Sequence, residues 1–320
     1  METFFLNHPH HIKRELTKPK AMAFGYFDGV HLGHQQVINE ARKMAHRKGY
    51  QSAVMTFHPH PSIVLGKNNP IRHSLTPLND KIEIIESLGV DELYVVEFSE
   101  AFSMLLPQEF VDSYIIGLHV KHAVAGFDFT YGKMGKGTME TLPFHSRHEF
   151  EQTVVGKIEL AHKKVSSTYI RSLLQEGDVS KVQMLLGRNY KIKGTIIHGE
   201  KRGRTIGFPT ANIKMEEQYL LPKLGVYVVK LKVRDTWYEG VCNIGLKPTF
   251  HDDLKEVSIE VHLLEFSDTI YDQKVELEFI ARIRDEQKFG NIQELIDRIH
   301  RDVSEAKNFF NSLIIPTLKD

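Results

Sequence analysis

Apolar residues follow two different patterns along this chain, and the change falls near residue 187. In the first stretch, short apolar runs alternate with segments whose apolar residues recur at helical spacing. Ala21-Met22-Ala23-Phe24 reads as a buried strand. Val37, Ile38, Ala41, Met44 and Ala45 then return every few residues, as on one face of a helix. Residues 52–57 form a second apolar run, ended by His58-Pro59-His60-Pro61, where the prolines remove donors and force an extended exit. Thr76-Pro77 opens a helical pattern through Ile82, Ile84, Ile85 and Leu88 that stops at Gly89. Residues 92–96 are a third strand. Pro107 starts a helix through Phe110, Val111, Tyr114 and Ile115, and 123–126 is a fourth strand. The alternation predicts a parallel α/β sheet with helices on both faces. Residues up to about 20 are polar and rich in histidine. His8, His10 and His11 could ligate a metal, but an edge or terminal segment is the better reading.

Helical character continues to Gly187-Arg188, after which the apolar residues fall into short alternating runs: 192–197, 225–233, 238–244, 257–264 and 275–279. Turn residues separate them, which predicts an antiparallel barrel or sandwich. The expected domains are therefore 1–186 and 187–320. A last helix, 292–313, repeats apolar residues at Leu295, Ile296, Ile299, Val303 and Ala306 and is expected to pack on the barrel.

Length and charge narrow the field. A chain of 320 residues suits about two domains, and 41% hydrophobic residues suffice for two cores. Lys+Arg and Asp+Glu are both 41, so nothing global points to nucleic acid or an anionic membrane. There is no signal-peptide layout and no apolar run long enough to span a bilayer. The single cysteine, Cys242, excludes an internal disulfide or a multi-cysteine zinc site and reads as a packed small residue. The expectation is a cytoplasmic protein, monomeric or weakly homo-oligomeric, whose partners are small molecules.

Candidate chemistry gathers at the strand ends. In Gly25-Tyr26-Phe27-Asp28-Gly29-Val30-His31-Leu32-Gly33-His34, a strand hands over to a helix N-terminus, where unpaired N–H groups and the dipole suit a phosphate. His31 and His34 are three residues apart, so both rings can face one ligand. A lone pair of histidines there is more often solvated or capping; small residues on both sides favour close approach of a ligand. His58 stands at the carboxyl end of a strand, where open α/β sheets place ligands. The 126–138 segment combines glycines, aromatics, Lys133 and Lys136, and reads equally as a ligand loop or a plain surface loop. It is no Walker A, because neither Ser nor Thr follows the lysine of Gly135-Lys136-Gly137, and the Rossmann glycine fingerprint is absent. In Lys164-Val165-Ser166-Ser167-Thr168-Tyr169-Ile170-Arg171, Ser166 or Ser167 can cap a helix with Arg171 near the same end, the parts of a polyphosphate clamp.

In the second half, residues 198–212 join two strands through three glycines and three basic residues, more than a hairpin needs. Such loops wrap phosphates with backbone amides, and Thr210 and Asn212 offer oxygens suited to Mg²⁺. Alternation along 258–266 sends Glu260 and His262 to one face and Ile259, Val261 and Leu263 to the other. A mid-strand acid often just meets solvent. Glu260 is nonetheless a candidate general base.

The Gly25–His34 stretch resembles the His-x-Gly-His signature of nucleotidyltransferases, and in its longer form the bacterial flavin-nucleotide adenylyltransferases. Residues 166–171 match that family's S-S-T-x-I-R segment, and Gly207-Phe208-Pro209-Thr210-Ala211-Asn212 resembles the riboflavin kinase signature. The whole chain is similar to the bacterial bifunctional riboflavin kinase/FMN adenylyltransferase family. The resemblance implies a Rossmann-like N-terminal domain making FAD from FMN and ATP. It implies a six-stranded C-terminal barrel making FMN from riboflavin and ATP, with Mg²⁺ in both reactions. It places His31, His34, Ser167 and Arg171 on ATP phosphates, with Gly25, Phe27, Gly33 and Thr168 beside them. Gly199, Lys201, Gly203, Gly207 and Pro209 fall in the kinase nucleotide loop, Thr210 and Asn212 at its metal, and Glu260 at the catalytic glutamate. His58, Asp128 and Phe129 fall in the flavin region of the first site. Tyr26, Thr130-Tyr131 and Met134-Gly135-Lys136 depart from the family's commoner residues, which bears on flavin contacts. One rival keeps adenylyl transfer alone on a pantetheine or nicotinate nucleotide; another is a flavin-binding regulator without catalysis. Both are disfavoured by the intact 207–212 loop and Glu260. An RNA-binding barrel would want aromatics interleaved with a basic face.

Overall fold

The computed structural model describes residues 1–66, 71–199, 202–248 and 255–314. The chain divides into two compact units, 1–169 and 170–320.

The first unit is built on six parallel strands: β1 (Glu2–Leu6), β2 (Lys20–Phe24), β3 (Gln51–His58), β4 (Glu92–Glu97), β5 (Val120–Gly126) and β6 (Glu151–Val155). Their order in the sheet is β1-β4-β3-β2-β5-β6. From β2 the chain builds outward in one direction through β3 and β4, and later in the other through β5 and β6. The reversal therefore lies between β2 and β5, the place where open α/β sheets open a ligand crevice at their carboxyl ends. Both faces are buried, as parallel sheets require. Met22, Phe24, Met55, Phe57, Tyr94 and Val96 enter one core with Phe110 and Tyr114. Ala23, Val54, Leu93, Val95 and Val124 enter the other with Val37 and Ile38 of α1 (Leu32–Lys48) and Ile85 of α2 (Leu78–Ser87). The four strands expected from apolar runs are present. β1 and β6 are additions. β1 is an edge strand on β4 inside the segment read as terminal, and β6, with only half-buried and exposed residues, lacks the continuous apolar run that marks its neighbours. The helix expected from Pro107 starts as an α-turn, Pro107–Phe110, and continues as a π-helical stretch, Val111–Ile116.

The second unit begins with α3 (Ser167–Glu176), whose first residues belong to the first unit, and α4 (Val179–Leu186). Six antiparallel strands then close a barrel: β7 (Tyr190–Ile197), β8 (Ala211–Met215), β9 (Gly225–Val233), β10 (Thr236–Pro248), β11 (Lys255–Leu263) and β12 (Lys274–Arg284). The order around it is β7-β8-β11-β10-β9-β12. Ile192, Tyr227, Cys242, Val261 and Phe279 are buried. Helix α5 (Ile292–Ile314) lays Ala306 and Phe310 on Val226, Val228, Val241 and Ile280, so it packs on the barrel as its pattern predicts. Asp302 fixes it there: its carboxylate takes Arg284 in two parallel contacts, Nε–Oδ1 at 3.0 Å and Nη2–Oδ2 at 2.7 Å, with Arg298 Nε at 3.0 Å.

Candidate active sites

At the switch point a cavity of about 800 Å³ opens beyond the carboxyl ends of β2 and β5. Its floor is the turn from Gly25 to His31, which holds unusual backbone: φ is +56° at Phe27, +85° at Gly29 and +40° at Val30. Positive φ at a fully buried valine is strained, and such strain persists only where the surroundings over-determine it. They do so here. The Tyr26 carbonyl accepts from Thr56 Oγ1 at 2.8 Å and from the Lys81 ammonium at 2.7 Å. The buried Asp28 carboxylate accepts from the Leu75 and Thr76 amides at 3.0 and 3.3 Å, and its carbonyl accepts from Ser167 Oγ at 2.8 Å.

Helix α1 starts directly on this turn. His31 is its N-cap, with Nδ1 accepting from the His34 amide at 3.2 Å. In the neutral ring that leaves the proton on Nε2, a donor suited to a phosphate oxygen. The His31 and His34 rings stack at 3.6 Å. Burial holds the His34 pKa well below its ordinary value, with His31 and Lys81 pushing the same way, so the ring is neutral. Its Nδ1 is buried without a hydrogen-bond partner among the described residues.

Ser166, Ser167 and Thr168 enter the cavity from the start of α3. Ser166 is the residue that caps, its Oγ accepting from the Tyr169 amide at 3.2 Å. The same cavity is walled by Phe57, Phe98, Phe102, Phe110, Phe129 and Tyr131. Phe110 stacks on Tyr131 at 5.3 Å, and Tyr131 Oη meets His145 Nδ1 at 2.8 Å. Asp128 lies at the rim, paired with Lys164 at 2.8 Å, and the same ammonium stands 4.6 Å over the Phe127 ring.

The structure thus brings Gly25, Phe27, His31, Gly33, His34, Asp128, Phe129, Ser167 and Thr168 to one cavity. Arg171, one turn further along α3, and His58, at the end of β3, are not among its lining residues; Pro61 and Leu65 line it instead.

In the barrel a second cluster forms where β8 meets β11. Ile259, Val261 and Leu263 are buried, so Glu260 and His262 share the other face, as alternation predicts. Glu260 stands between Asn212 and Asn243 in register. Thr210 Oγ1 donates to its carboxylate at 3.4 Å, and His262 Nδ1 lies 2.9 Å from the Pro209 carbonyl. Phe208 is buried edge-on against His262 at 5.4 Å and His300 of α5 at 4.8 Å. The loop folds on itself: the Phe208 amide donates to the Gly203 carbonyl at 2.8 Å, and a Cβ at Gly203 would sit 2.3 Å from the Phe208 oxygen. A Cβ at Gly199 would sit 2.2 Å from Asn212 Nδ2, so the loop lies directly against the Asn212 side chain. Gly207 turns at φ +89°. Lys201 lies outside the described residues.

The profile of the FAD synthetase family matches residues 13–169, and that of riboflavin kinase matches 186–310. A bifunctional riboflavin kinase/FMN adenylyltransferase of Bacillus subtilis (strain 168) is 52% identical over 98% of this chain and 99% of its own length. The chain belongs to the bifunctional riboflavin kinase/FMN adenylyltransferase family. The protein of that name from Listeria monocytogenes serovar 1/2a is 48% identical, with coverage of 98% and 99%. A crystal structure of a Streptococcus pneumoniae protein described as a macrolide-efflux protein matches with a TM-score of 0.87 and 33% identity, over 96% of this chain and 99% of that one. Among the described residues no helix is long and apolar enough to cross a membrane.

Against this family background, three residues stand out that the sequence did not single out. Asp28 is quoted within the turn, but its burial and its hold on the 75–76 segment have no local signal. Asn243 faces Glu260 across the β10–β11 pair, in a segment whose cysteine draws attention first. Cys242 itself is buried, and burial with the nearby Glu260 charge raises its pKa, so it is inert. Lys81, a polar position of a helix with no motif around it, is 2% exposed.

Proposed function

We propose that the family's two reactions divide between the two units. FMN adenylylation runs in the cavity at the β2/β5 switch point, and riboflavin phosphorylation runs at the β8–β11 face of the barrel. The observation that carries the first assignment is the convergence in one cavity of a phosphate-directed floor and an aromatic wall. The floor offers the helix N-terminus, His31, His34 and the Ser166–Thr168 hydroxyls; the wall offers flat surface for a flavin ring. A volume of about 800 Å³ lies in the range of small-molecule sites.

In adenylyl transfer the FMN phosphate oxygen attacks the α-phosphorus of ATP and pyrophosphate leaves. The nucleophile is already ionised at neutral pH, so the protein's task is to align it and to offset phosphate charge. Here His31 and the neutral His34 serve as hydrogen-bond donors. Arg171, Lys133 and Lys136 add charge if they turn toward the phosphates, and Asp128 and Phe129 border the flavin.

Phosphorylation of riboflavin differs because its nucleophile is a primary alcohol. Glu260 accepts that proton, held beside Thr210 and between Asn212 and Asn243. The nucleotide lies along the loop that precedes β8, with Gly199, Gly203, Gly207 and Pro209 at its phosphates. Thr210 and Asn212 would hold Mg²⁺. Their neutral oxygen donors fit a hard cation that keeps most of its other ligands from phosphate and water, and no cluster of three or more His, Cys, Asp or Glu residues offers another centre among the described residues. When bound, the ion offsets charge on the nucleotide phosphates. Both reactions take place in the cytoplasm, where ATP is available, with the chain acting as a monomer or weak homo-oligomer.

Chromatography of flavins after incubation with riboflavin, ATP and Mg²⁺ tests the division. Wild type yields FMN and then FAD. Glu260→Ala converts supplied FMN but leaves riboflavin untouched, whereas His31→Ala/His34→Ala stops at FMN. Failure of Glu260→Ala to convert supplied FMN to FAD, or of His31→Ala/His34→Ala to make FMN from riboflavin, would overturn the assignment of separate sites.

A further inference from the structure

Lys81 is a buried cation against the turn of the first site that the mechanism above does not use. It comes from α2, far in sequence from the turn, and its side chain is 2% exposed. Its ammonium donates to the Tyr26 carbonyl at 2.7 Å and reaches Thr56 Oγ1 at 3.4 Å, while standing 4.1 Å from the centre of the Tyr26 ring. The Tyr26 carbonyl is the last backbone group before the run of positive φ that carries the chain to His31. A cation that fixes this oxygen fixes the start of the strained turn.

We propose that Lys81 is a positioning residue for FMN adenylylation, locking the Tyr26–Val30 turn through the Tyr26 carbonyl and thereby placing His31 and His34. This deepens the reading of the cavity as the adenylylation site and rests on it.

Charge around the ammonium supports the same role. Asp28 on the turn stabilises the charged form, and His34 at the start of α1 feels that charge. His31 is stacked on His34, and His60 meets the Tyr26 ring edge-on at 4.4 Å. Asp80, also buried, is the neighbour of Lys81 on α2. Burial pulls the Lys81 pKa down to about 8, with Asp28 opposing. A lysine that is charged at neutral pH and discharged at mildly alkaline pH loosens the turn over that range. A lysine serving only as scaffold would leave the pH profile of the chemical step unchanged.

The test compares Lys81→Met, which keeps the stem and removes the charge, with Lys81→Arg, which keeps the charge at every pH. FAD formation from supplied FMN and ATP is followed from pH 6 to 10, and riboflavin phosphorylation by the same preparations is the reference. Lys81→Met is expected to lower the kcat of adenylylation by about 10-fold to 100-fold, the loss expected of a misplaced catalytic group, with smaller changes in KM. Its alkaline limb near pH 8 disappears, and riboflavin phosphorylation stays as in wild type. Lys81→Arg keeps more activity and moves that limb upward. Wild-type kcat in Lys81→Met, or an unmoved alkaline limb in Lys81→Arg, overturns the proposal. If Lys81→Met fails to fold, seen as loss of the first unit's melting transition, the limb in Lys81→Arg decides alone. Wild-type protein that makes no FAD from FMN would instead overturn the reading of the cavity itself.

Discussion

Gly33→Ala should separate the stability of the first unit from its activity. Gly33 is the second residue of α1, in helical backbone, so alanine is conformationally welcome and gains at most about 1 kcal/mol over glycine. Its Cβ, however, would stand 3.1 Å from His31 Cε1 and 3.2 Å from Nδ1, closer than such contacts settle, and 3.7 Å from the Val165 carbonyl. The imidazole must give by a few tenths of an ångström. It has little room, being 5% exposed and stacked on His34 at 3.6 Å. Movement therefore stretches the Nδ1 contact to the His34 amide, an N-cap bond worth about 1 kcal/mol. Gain and loss nearly cancel, so the melting temperature should stay within a few degrees of wild type. Catalysis has no such compensation. A misplacement of 1 Å can lower a rate by about 10²-fold, so a few tenths should lower kcat/KM for FAD formation roughly 3-fold to 10-fold. The assay is the conversion of FMN and ATP to FAD, with riboflavin phosphorylation by the same sample as reference. Wild-type FAD formation would refute the claim that His31 is held in a working position. A fall in stability above about 2 kcal/mol would refute the estimate of strain.

Two further outcomes test other parts of the structure. Asp302→Ala leaves the Arg284 and Arg298 guanidinium groups beside α5 without their shared carboxylate, which is 2% exposed. Breaking such a buried pair costs about 3–5 kcal/mol. Riboflavin phosphorylation should then be lost at a temperature lower by roughly 10 °C, and an unchanged thermal profile would show that the pair does not anchor the helix. The second concerns acid. His34 is neutral when folded because its pKa lies below the ordinary 6.5, so between those two values the unfolded chain binds a proton that the native chain does not. Stability must therefore fall as the pH drops below about 6.5, and His34→Gln should flatten that slope in melting curves taken at pH 7.5 and 5.5. An equal slope in the variant would remove His34 as the cause.

Patterns confined to one element were legible in the sequence. The apolar runs at 21–24, 52–57, 92–96 and 123–126 are strands, because a strand buried on both faces has no polar alternation to confuse it. The alternation around Glu260 was equally local, and Ile259, Val261 and Leu263 are indeed the buried set. β1 and β6 escaped because edge strands are half exposed and lose that uniform signature. β8 escaped as a strand because its first residues also serve the 198–212 loop.

The site was legible in parts and not as a constellation. Glycine and histidine spacing marks the Gly25–His34 turn, since the backbone there needs both. The residues that hold the turn carry no such mark. Lys81 stands beside the apolar positions of a helical pattern with nothing to single it out, and Asp28 reaches residues nearly fifty positions away. Asn243 is brought to Glu260 only by the register of β10 on β11. Residues that touch the substrate must present a particular chemistry in a particular local shape, and local shape is written in neighbouring residues. Residues that hold them in place need only arrive from somewhere. Any lysine with the right reach could fix the Tyr26 carbonyl, so its origin in α2 follows from the strand order β4-β3-β2 and from nothing near the turn itself.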